Sequence, residues 1–286
     1  MKNRKVFTTF VCIILVLASI SSSALAVDDT VKKIMPGVRE IKKDGVISKE
    51  TKEMSLEELQ KLLQSIDFSK EPSEEEKALL ETYYILDSNL VFNDEYAKEI
   101  YQRDCNEINS LSEEQKEQLY YKESVEYCSQ AAETQGSSSL GTYGDILVSF
   151  TSSSFGYNWG LPGHAAIVHT NSRYTIESFP NGGVRIYTNN WGSKTKVYGV
   201  RVKGASSNSY TRAAQYAISQ ANQGKKYNWI FINKGTTGSF YCSQLVWRAW
   251  KNQGFEVDRM NLGNWEPVSP AELVGGSRTY VFYYRG

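Results

Sequence analysis

Between residues 50 and 133 the apolar positions recur with the period of amphipathic helices. Three segments open with a capping signature, a serine followed three residues later by Glu or Gln, at Ser55–Glu58, Ser73–Glu76 and Ser112–Gln115. A further helix is expected from about Asp94 to Arg103. We therefore predict a small all-α region, joined to the rest of the chain by a linker rich in Ser and Gly at Gly136–Gly141.

From Gly144 onward the apolar period changes to two, and Tyr, Val, Ile and Thr become frequent, as in strands. Strands are expected at Asp145–Phe150, His164–Thr170, Tyr174–Phe179, Val184–Thr188, Val197–Val202 and Thr279–Tyr284. Helices are expected from about Tyr210 to Asn222 and from Cys242 to just before Gly254, which suits a left-handed helix end. Many strands with only two helices predict an α+β domain rather than a wound parallel sheet.

The charge distribution divides the chain at the same place. The 286 residues carry 32 basic and 32 acidic side chains. Residues 27–140 hold 14 bases and 26 acids, whereas residues 141–286 hold 15 bases and 6 acids. An acidic and a basic half can attract each other within the molecule or meet different partners, and charge does not choose between these.

Residues 1–26 have the features of a secretory signal peptide. Lys2, Arg4 and Lys5 precede an apolar run that is short for a membrane span, and Ala24–Ala26 forms an A-x-A cleavage site. We expect cleavage near Ala26 and a secreted, extracellular protein without a later transmembrane segment; the alternative is an uncleaved anchor. The expected domains are thus a signal peptide at 1–26, an acidic helical region at 27–140 and an α+β domain at 141–286.

The mature chain keeps three cysteines, which suggests one disulfide and one free thiol. Cys105 and Cys128 are the candidates for the pair, with two buried thiols as the alternative. In either case Cys242 is the remaining cysteine.

Candidate catalytic groups are few. The chain has two histidines, His164 and His169, and a metal site of the usual His/Cys type would use nearly all of its ligand side chains, so we expect no metal and no cofactor. Asp145 is interpreted as an anchor of a turn or strand end. Four other acids of the basic half are interpreted as surface or capping residues, Glu256, Asp258, Glu266 and Glu272.

Cys242 lies at the start of a predicted helix, where free N–H groups and the helix dipole favour the thiolate. The alternative is a core cysteine packed as a small hydrophobic residue. His164 and His169 are five residues apart on one strand, so they project from opposite faces. If residues 170–173 form a hairpin loop, Glu177 lies on the His164 face, diagonal to it. The alternatives are that His164 is an edge-strand histidine with its hydrogen bonds satisfied and that Glu177 is a solvated strand carboxylate.

These residues lie in motifs that resemble a known family. Gly144–Leu147, Gly163–Ile167, Ile176–Ser178 and Tyr241–Val246 occur in the order found in the circularly permuted NlpC-type papain-like cysteine hydrolases, the YiiX/YaeF-like amidases. Tyr227–Trp229 and Pro270–Leu273 add to the resemblance, which covers residues 141–286. It implies a papain-like domain with an antiparallel sheet, in which Cys242 is the nucleophile, His164 the general base and Glu177 the group that orients the base.

Two details of the site stay open in the sequence. Gln244 stands where the family pattern often has an acid, and on a helix that position faces away from the thiol. The oxyanion donor is expected to be the backbone N–H of Cys242, with the Tyr241 hydroxyl as a further candidate.

Several functions fit these residues. The first is a secreted cysteine amidase or peptidase that cleaves cell-wall peptide, with residues 27–140 as a targeting module or removable pro-segment. A non-catalytic ligand-binding module and a lipid acyl hydrolase or acyltransferase are the alternatives. Five tryptophans are candidates for lining a groove, with a place in the core as the alternative: Trp159, Trp191, Trp229, Trp250 and Trp265. The basic charge has no nucleic-acid-binding motif beside it, so specific nucleic-acid binding is not expected.

Overall fold

The computed structural model describes residues 55–119, 138–150 and 163–286. Residues 1–26, Cys128 and Trp159 lie outside these residues, so a signal peptide cleaved near Ala26 and the pairing of Cys105 with Cys128 stay predictions. By its internal contacts the chain divides into two compact units, residues 1–62 and 63–286. None of the helices in the described ranges combines the length and the hydropathy that crossing a bilayer requires.

Within residues 55–119 the acidic region contains four helices, α1 (Leu56–Gln64), α2 (Glu74–Val91), α3 (Asp94–Ser110) and α4 (Glu113–Leu119). All three capping signatures are confirmed. The side chains of Glu58, Glu76 and Gln115 each accept the backbone N–H of the serine three residues earlier, at 2.7–2.9 Å. Helix α3 runs seven residues beyond the Arg103 end that the sequence indicated.

The α+β region, residues 138–150 and 163–286, contains one six-stranded antiparallel sheet. Its strands are β1 (Ile146–Ser149), β2 (His164–Val168), β3 (Tyr174–Phe179), β4 (Gly183–Thr188), β5 (Val197–Val202) and β6 (Thr279–Arg285), in the spatial order β4-β3-β2-β1-β5-β6. Two helices accompany the sheet, α5 (Ser207–Asn222) and α6 (Cys242–Lys251). The predicted α+β class is confirmed, and every strand predicted from the period of two is present.

The core separates into two clusters because the side chains of a strand alternate between the faces of the sheet. Ile146, Ala165 and Ile167 pack with helices α5 and α6 in the larger cluster. Leu147 and Ala166 pack in the smaller one, which contains Trp191. Helix α6 contacts β2 and β3, and this contact brings its first residue to the histidine strand.

Helices α2 and α3 pack against the α+β region within the second unit. The buried carboxylate of Asp104 on α3 accepts the backbone N–H of Val281 on β6 at 2.7 Å. Lys203 forms an ion pair with Glu107 at 2.8 Å. The domain boundary predicted near residue 140 stays a prediction, because it lies beside residues 120–137, which are outside the described residues.

Candidate active site

Cys242 is the first residue of helix α6 and only 9% of its surface is exposed. The helix starts here because Tyr241 adopts an extended backbone conformation, and its N–H donates to the Oε1 of Gln244 at 3.1 Å. The first N–H groups of a helix lack intrahelical acceptors and carry the positive end of its dipole. The sulfur of Cys242 thus lies where a negative charge is stabilised.

His164 and Glu177 are in direct contact on neighbouring strands. Ile167 lies opposite Ile176, and the N–H of His169 donates to the carbonyl of Tyr174 at 3.0 Å. This is the register that a hairpin loop at residues 170–173 required. It places the Nε2 of His164 2.7 Å from the Oε2 of Glu177, with both side chains buried.

Cys242 is the second hydrogen-bond partner of the His164 side chain. Burial lowers the pKa of His164, but hydrogen bonds to Cys242 and Glu177 outweigh it and raise the pKa from 6.5 to about 9. Burial raises the pKa of the Cys242 thiol, but the hydrogen bond and positive charge of His164 and the N–H of Ala165 bring it below its ordinary value of 9.0. Both shifts act in the direction of a thiolate beside an imidazolium.

Glu177 is held by two further donors. The hydroxyl of Thr175 donates to its Oε1 at 2.5 Å and the indole N–H of Trp191 donates to the same oxygen at 3.0 Å. Burial raises the pKa of Glu177, but the hydrogen bond to His164 and these two donors lower it below its ordinary value. Trp191 also stacks on His164, with ring centroids 5.8 Å apart and planes inclined by 18°.

Sequence reasoning did not assign Thr175 or Trp191 to the site. Thr175 had a usable signal, since it lies two residues from Glu177 and therefore on the same strand face. Trp191 had none, because it lies beyond β4 in a short 3-10 helix and reaches Glu177 only through the fold. Among the other tryptophans considered for a groove, Trp250 is buried in the core and Trp229 is exposed.

We expect Trp191→Phe to lower kcat/KM about tenfold, because Glu177 would lose a charge-assisted hydrogen bond worth ~1.5–3 kcal/mol. Trp250→Phe is the matched control, since the indole N–H of the equally buried Trp250 has no partner among the described residues. Steady-state kinetics on both variants, with thermal melts, separate the hydrogen bond from the loss of volume. Equal kinetic losses in the two variants would contradict the role of Trp191.

The hydroxyl of Tyr241 accepts the backbone N–H of Val268 at 2.9 Å, and the side chain is fully buried. The sequence suggested this hydroxyl as an oxyanion donor or a supporting group, and its contact with Val268 suits support. Ser243, on the other side of Cys242, donates its hydroxyl to the carbonyl of Val268 at 2.7 Å. Both neighbours of the cysteine are therefore attached to the same residue.

The side chain of Gln244 is fully buried and all of its hydrogen-bonding capacity is used. Its Oε1 accepts from Asn228 at 3.0 Å as well as from Tyr241, and its Nε2 donates to the carbonyls of Lys234 and Thr236 at 3.1 Å each. Two carbonyl acceptors need an N–H₂ group, which a carboxylate cannot supply. This explains why an amide stands where the family pattern often has an acid.

Three of the acids interpreted as surface or capping residues are buried, so they do not lie on the surface. Asp258 and Glu266 both contact the buried ammonium of Lys234, and the Glu266 distance is 2.6 Å. Glu272 does cap a turn, since it accepts the N–H of Ser269 at 2.9 Å, but it is also fully buried. No local sequence pattern indicates this cluster, because Lys234 lies in a loop that is distant from the acids in sequence.

Asp145 anchors a turn, as expected. Its carboxylate accepts the backbone N–H of Thr142 at 2.8 Å and the guanidinium of Arg201 at 3.0 Å.

Comparison with known proteins gives one match. Residues 143–265 match the family described as permuted papain-like amidase enzyme, YaeF/YiiX. No curated protein and no solved structure gives a significant match. Within the described residues, no group of three or more His, Cys, Asp or Glu side chains is arranged to hold a metal ion. Residues 143–265 are therefore similar to the permuted papain-like amidases, and this similarity supports an amide hydrolase.

Proposed function

We propose that the protein is an exported cysteine amidase that cleaves an amide bond in cell-wall peptide. The observation that carries this proposal is the buried contact series from Cys242 through His164 to Glu177, with Glu177 2.7 Å from the imidazole. A non-catalytic binding module has no use for a thiol whose pKa is lowered by a histidine that a carboxylate holds in place.

The proposed reaction has two steps. The Cys242 thiolate attacks the carbonyl carbon of the amide, and backbone N–H groups at the start of α6 stabilise the oxyanion. The imidazolium of His164 then gives its proton to the departing amine, which leaves an acyl group on sulfur. A water molecule, deprotonated by the now neutral His164, attacks this thioester and releases the acid and the thiolate. Glu177 keeps the imidazole oriented and stabilises its charged form throughout.

The charge of the α+β region supports an anionic substrate. Residues 141–286 carry 15 basic and 6 acidic side chains, and free carboxylates are present in the peptide part of the cell wall. The signal-like segment at residues 1–26 is consistent with delivery to that substrate. The bond that is cleaved is identified by assay.

An exposed aromatic segment supports a second candidate, an amide or ester with a long apolar acyl group. Trp229 and Ile230 are 46% and 60% exposed. Trp229 packs on Tyr227 with ring centroids 4.9 Å apart. Burial raises the pKa of Tyr227, and the negative charge of Cys242 raises it further. An apolar surface beside the thiol suits an acyl chain.

The two candidates are separated by a substrate panel. Peptidoglycan-derived peptides and N-acylated amino acids with short and long acyl chains are incubated with the full mature chain, and free amines are quantified. We expect the wall peptides to release amines. Cleavage of long-chain acyl compounds alone supports the second candidate. If neither class is cleaved although Cys242 is reactive toward electrophiles, the amidase proposal is contradicted.

The pH dependence of kcat/KM is expected to be bell-shaped. On the acid side activity falls because the Cys242 thiolate becomes protonated. The midpoint of this limb lies below the ordinary thiol pKa of 9.0, because the pKa of Cys242 is lowered. On the basic side it falls near pH 9, where the raised pKa of His164 is passed and the acid that protonates the amine is lost. Both limbs are properties of the coupled pair. Activity that only rises above pH 8.5, as for an ordinary thiol, would contradict this prediction.

A further inference from the structure

A single peptide group connects the nucleophile helix with helix α2. The N–H of Val268 donates to the hydroxyl of Tyr241, immediately before Cys242, at 2.9 Å. The carbonyl of the same peptide group belongs to Pro267, and it accepts the hydroxyl of Tyr84 on α2 at 2.7 Å. Tyr84 and Tyr241 are thus joined through the two ends of one planar unit.

This connection is short and stiff. The peptide group is planar and resists twisting, so a shift at its oxygen moves its nitrogen as well. A hydrogen bond at one end also polarises the group and strengthens the bond at the other end. Both tyrosine side chains are buried, at 2% and 0% exposure, so water does not compete for these contacts. The carbonyl of Val268 holds Ser243 in addition, so residues on both sides of Cys242 depend on the position of this segment.

The segment that carries Pro267 is held at other points. Arg259 forms an ion pair with Asp87 on α2, and Lys234 contacts Asp258 and Glu266. Removing the Tyr84 hydroxyl alone therefore leaves the segment folded, while its peptide group at Pro267–Val268 loses one of its two hydrogen bonds. The expected consequence is a small displacement of Tyr241 and of the helix start.

We propose that Tyr84 is a positioning residue for Cys242, acting through the Pro267–Val268 peptide group and Tyr241. The proposal rests on the proposed function, in which Cys242 is the nucleophile. A segment of the acidic region, more than 150 residues before the cysteine, would then contribute to catalysis by fixing the distance between the thiol and His164. Such distances matter, because a misplacement of ~1 Å is enough to cost about 100-fold in rate.

The test compares two Tyr→Phe variants that each remove one buried hydroxyl. Tyr84→Phe breaks the bond to Pro267. Tyr198→Phe is the matched control, because the Tyr198 hydroxyl donates to the carbonyl of Val91, also across the contact between α2 and the sheet, but away from Cys242. In the full chain we measure thermal stability, kcat/KM and the pH dependence of Cys242 alkylation by iodoacetamide, located by mass spectrometry.

We expect similar losses of thermal stability in the two variants. Only Tyr84→Phe should lower kcat/KM, by about tenfold, and move the midpoint of Cys242 alkylation to higher pH. Tyr241→Phe, which removes the acceptor at the other end of the peptide group, should produce the same upward shift, and Tyr84→Phe should add little in that background. This second variant also decides the matter if Tyr84→Phe does not fold.

Equal effects of Tyr84→Phe and Tyr198→Phe on the alkylation profile would overturn the proposal. So would an unchanged profile in Tyr241→Phe. If the unsubstituted protein itself alkylates with the pH dependence of an ordinary thiol, the failure lies in the proposed function, since then no activated cysteine exists for Tyr84 to position.

Discussion

Replacing Cys242 by alanine is expected to lower kcat by roughly 10⁴- to 10⁶-fold while the fold is retained. The loss is large because the thiolate supplies the bond-forming electron pair, and His164 and Glu177 have no nucleophile to act on without it. The side chain is small, so alanine leaves little empty volume at the start of α6. The measurement is amine release from the best substrate of the panel, with circular dichroism and a thermal melt to verify folding.

Cys105→Ala is the matched control for this substitution. Cys105 is also buried, at 6% exposure, but it lies on α3 and belongs to no part of the proposed site. We expect its kcat/KM to stay within about twofold of the unsubstituted protein. Residual activity of more than a few per cent in Cys242→Ala, or an equal loss in Cys105→Ala, would contradict the assignment of Cys242.

The second large effect is expected for stability, from Gln244→Glu. The substitution keeps the shape of the side chain but replaces the N–H₂ group that serves the carbonyls of Lys234 and Thr236. A carboxylate oxygen would face two carbonyl oxygens in a fully buried place, and a protonated carboxyl has only one O–H for two acceptors. We expect a loss of about 3 kcal/mol in the free energy of unfolding. This corresponds to a decrease in Tm of roughly 6–12 °C.

Gln215→Glu serves as the control because Gln215 is exposed on helix α5, where the same chemical change meets water. Its effect on the free energy of unfolding is expected to be within about 0.5 kcal/mol. Thermal and urea unfolding of both variants measure the difference. If Gln244→Glu unfolds at the same temperature as Gln215→Glu, the carbonyl contacts of Gln244 do not contribute to stability as described.

Local sequence patterns were sufficient for the elements and for the contact between His164 and Glu177. The alternation of side chains along β2 and β3 fixes which faces are shared, and a hairpin loop of four residues sets the register. These rules depend only on neighbouring residues. They therefore placed Glu177 opposite the correct strand position, and the structure has the two side chains in contact.

What the sequence did not reveal depends on contacts between distant segments. Trp191 reaches Glu177 across a loop, and Lys234 meets Asp258 and Glu266 only after the chain has folded. Acidic side chains in loops are usually exposed to solvent, so the residue type of Glu266 alone indicated a surface position. Likewise, no local pattern connects Tyr84 with Pro267, 183 residues later.

The central claim, that Cys242 and His164 form a thiolate–imidazolium pair, is tested most directly by the alkylation rate of Cys242. The full mature chain and its His164→Ala variant are treated with iodoacetamide from about pH 4 to about pH 10, a range that includes the ordinary thiol pKa of 9.0, and mass spectrometry quantifies modified Cys242. The account predicts rapid alkylation well below the ordinary thiol pKa, and loss of that reactivity in His164→Ala. Equal profiles in the two proteins, or an inert Cys242 in both, would contradict it.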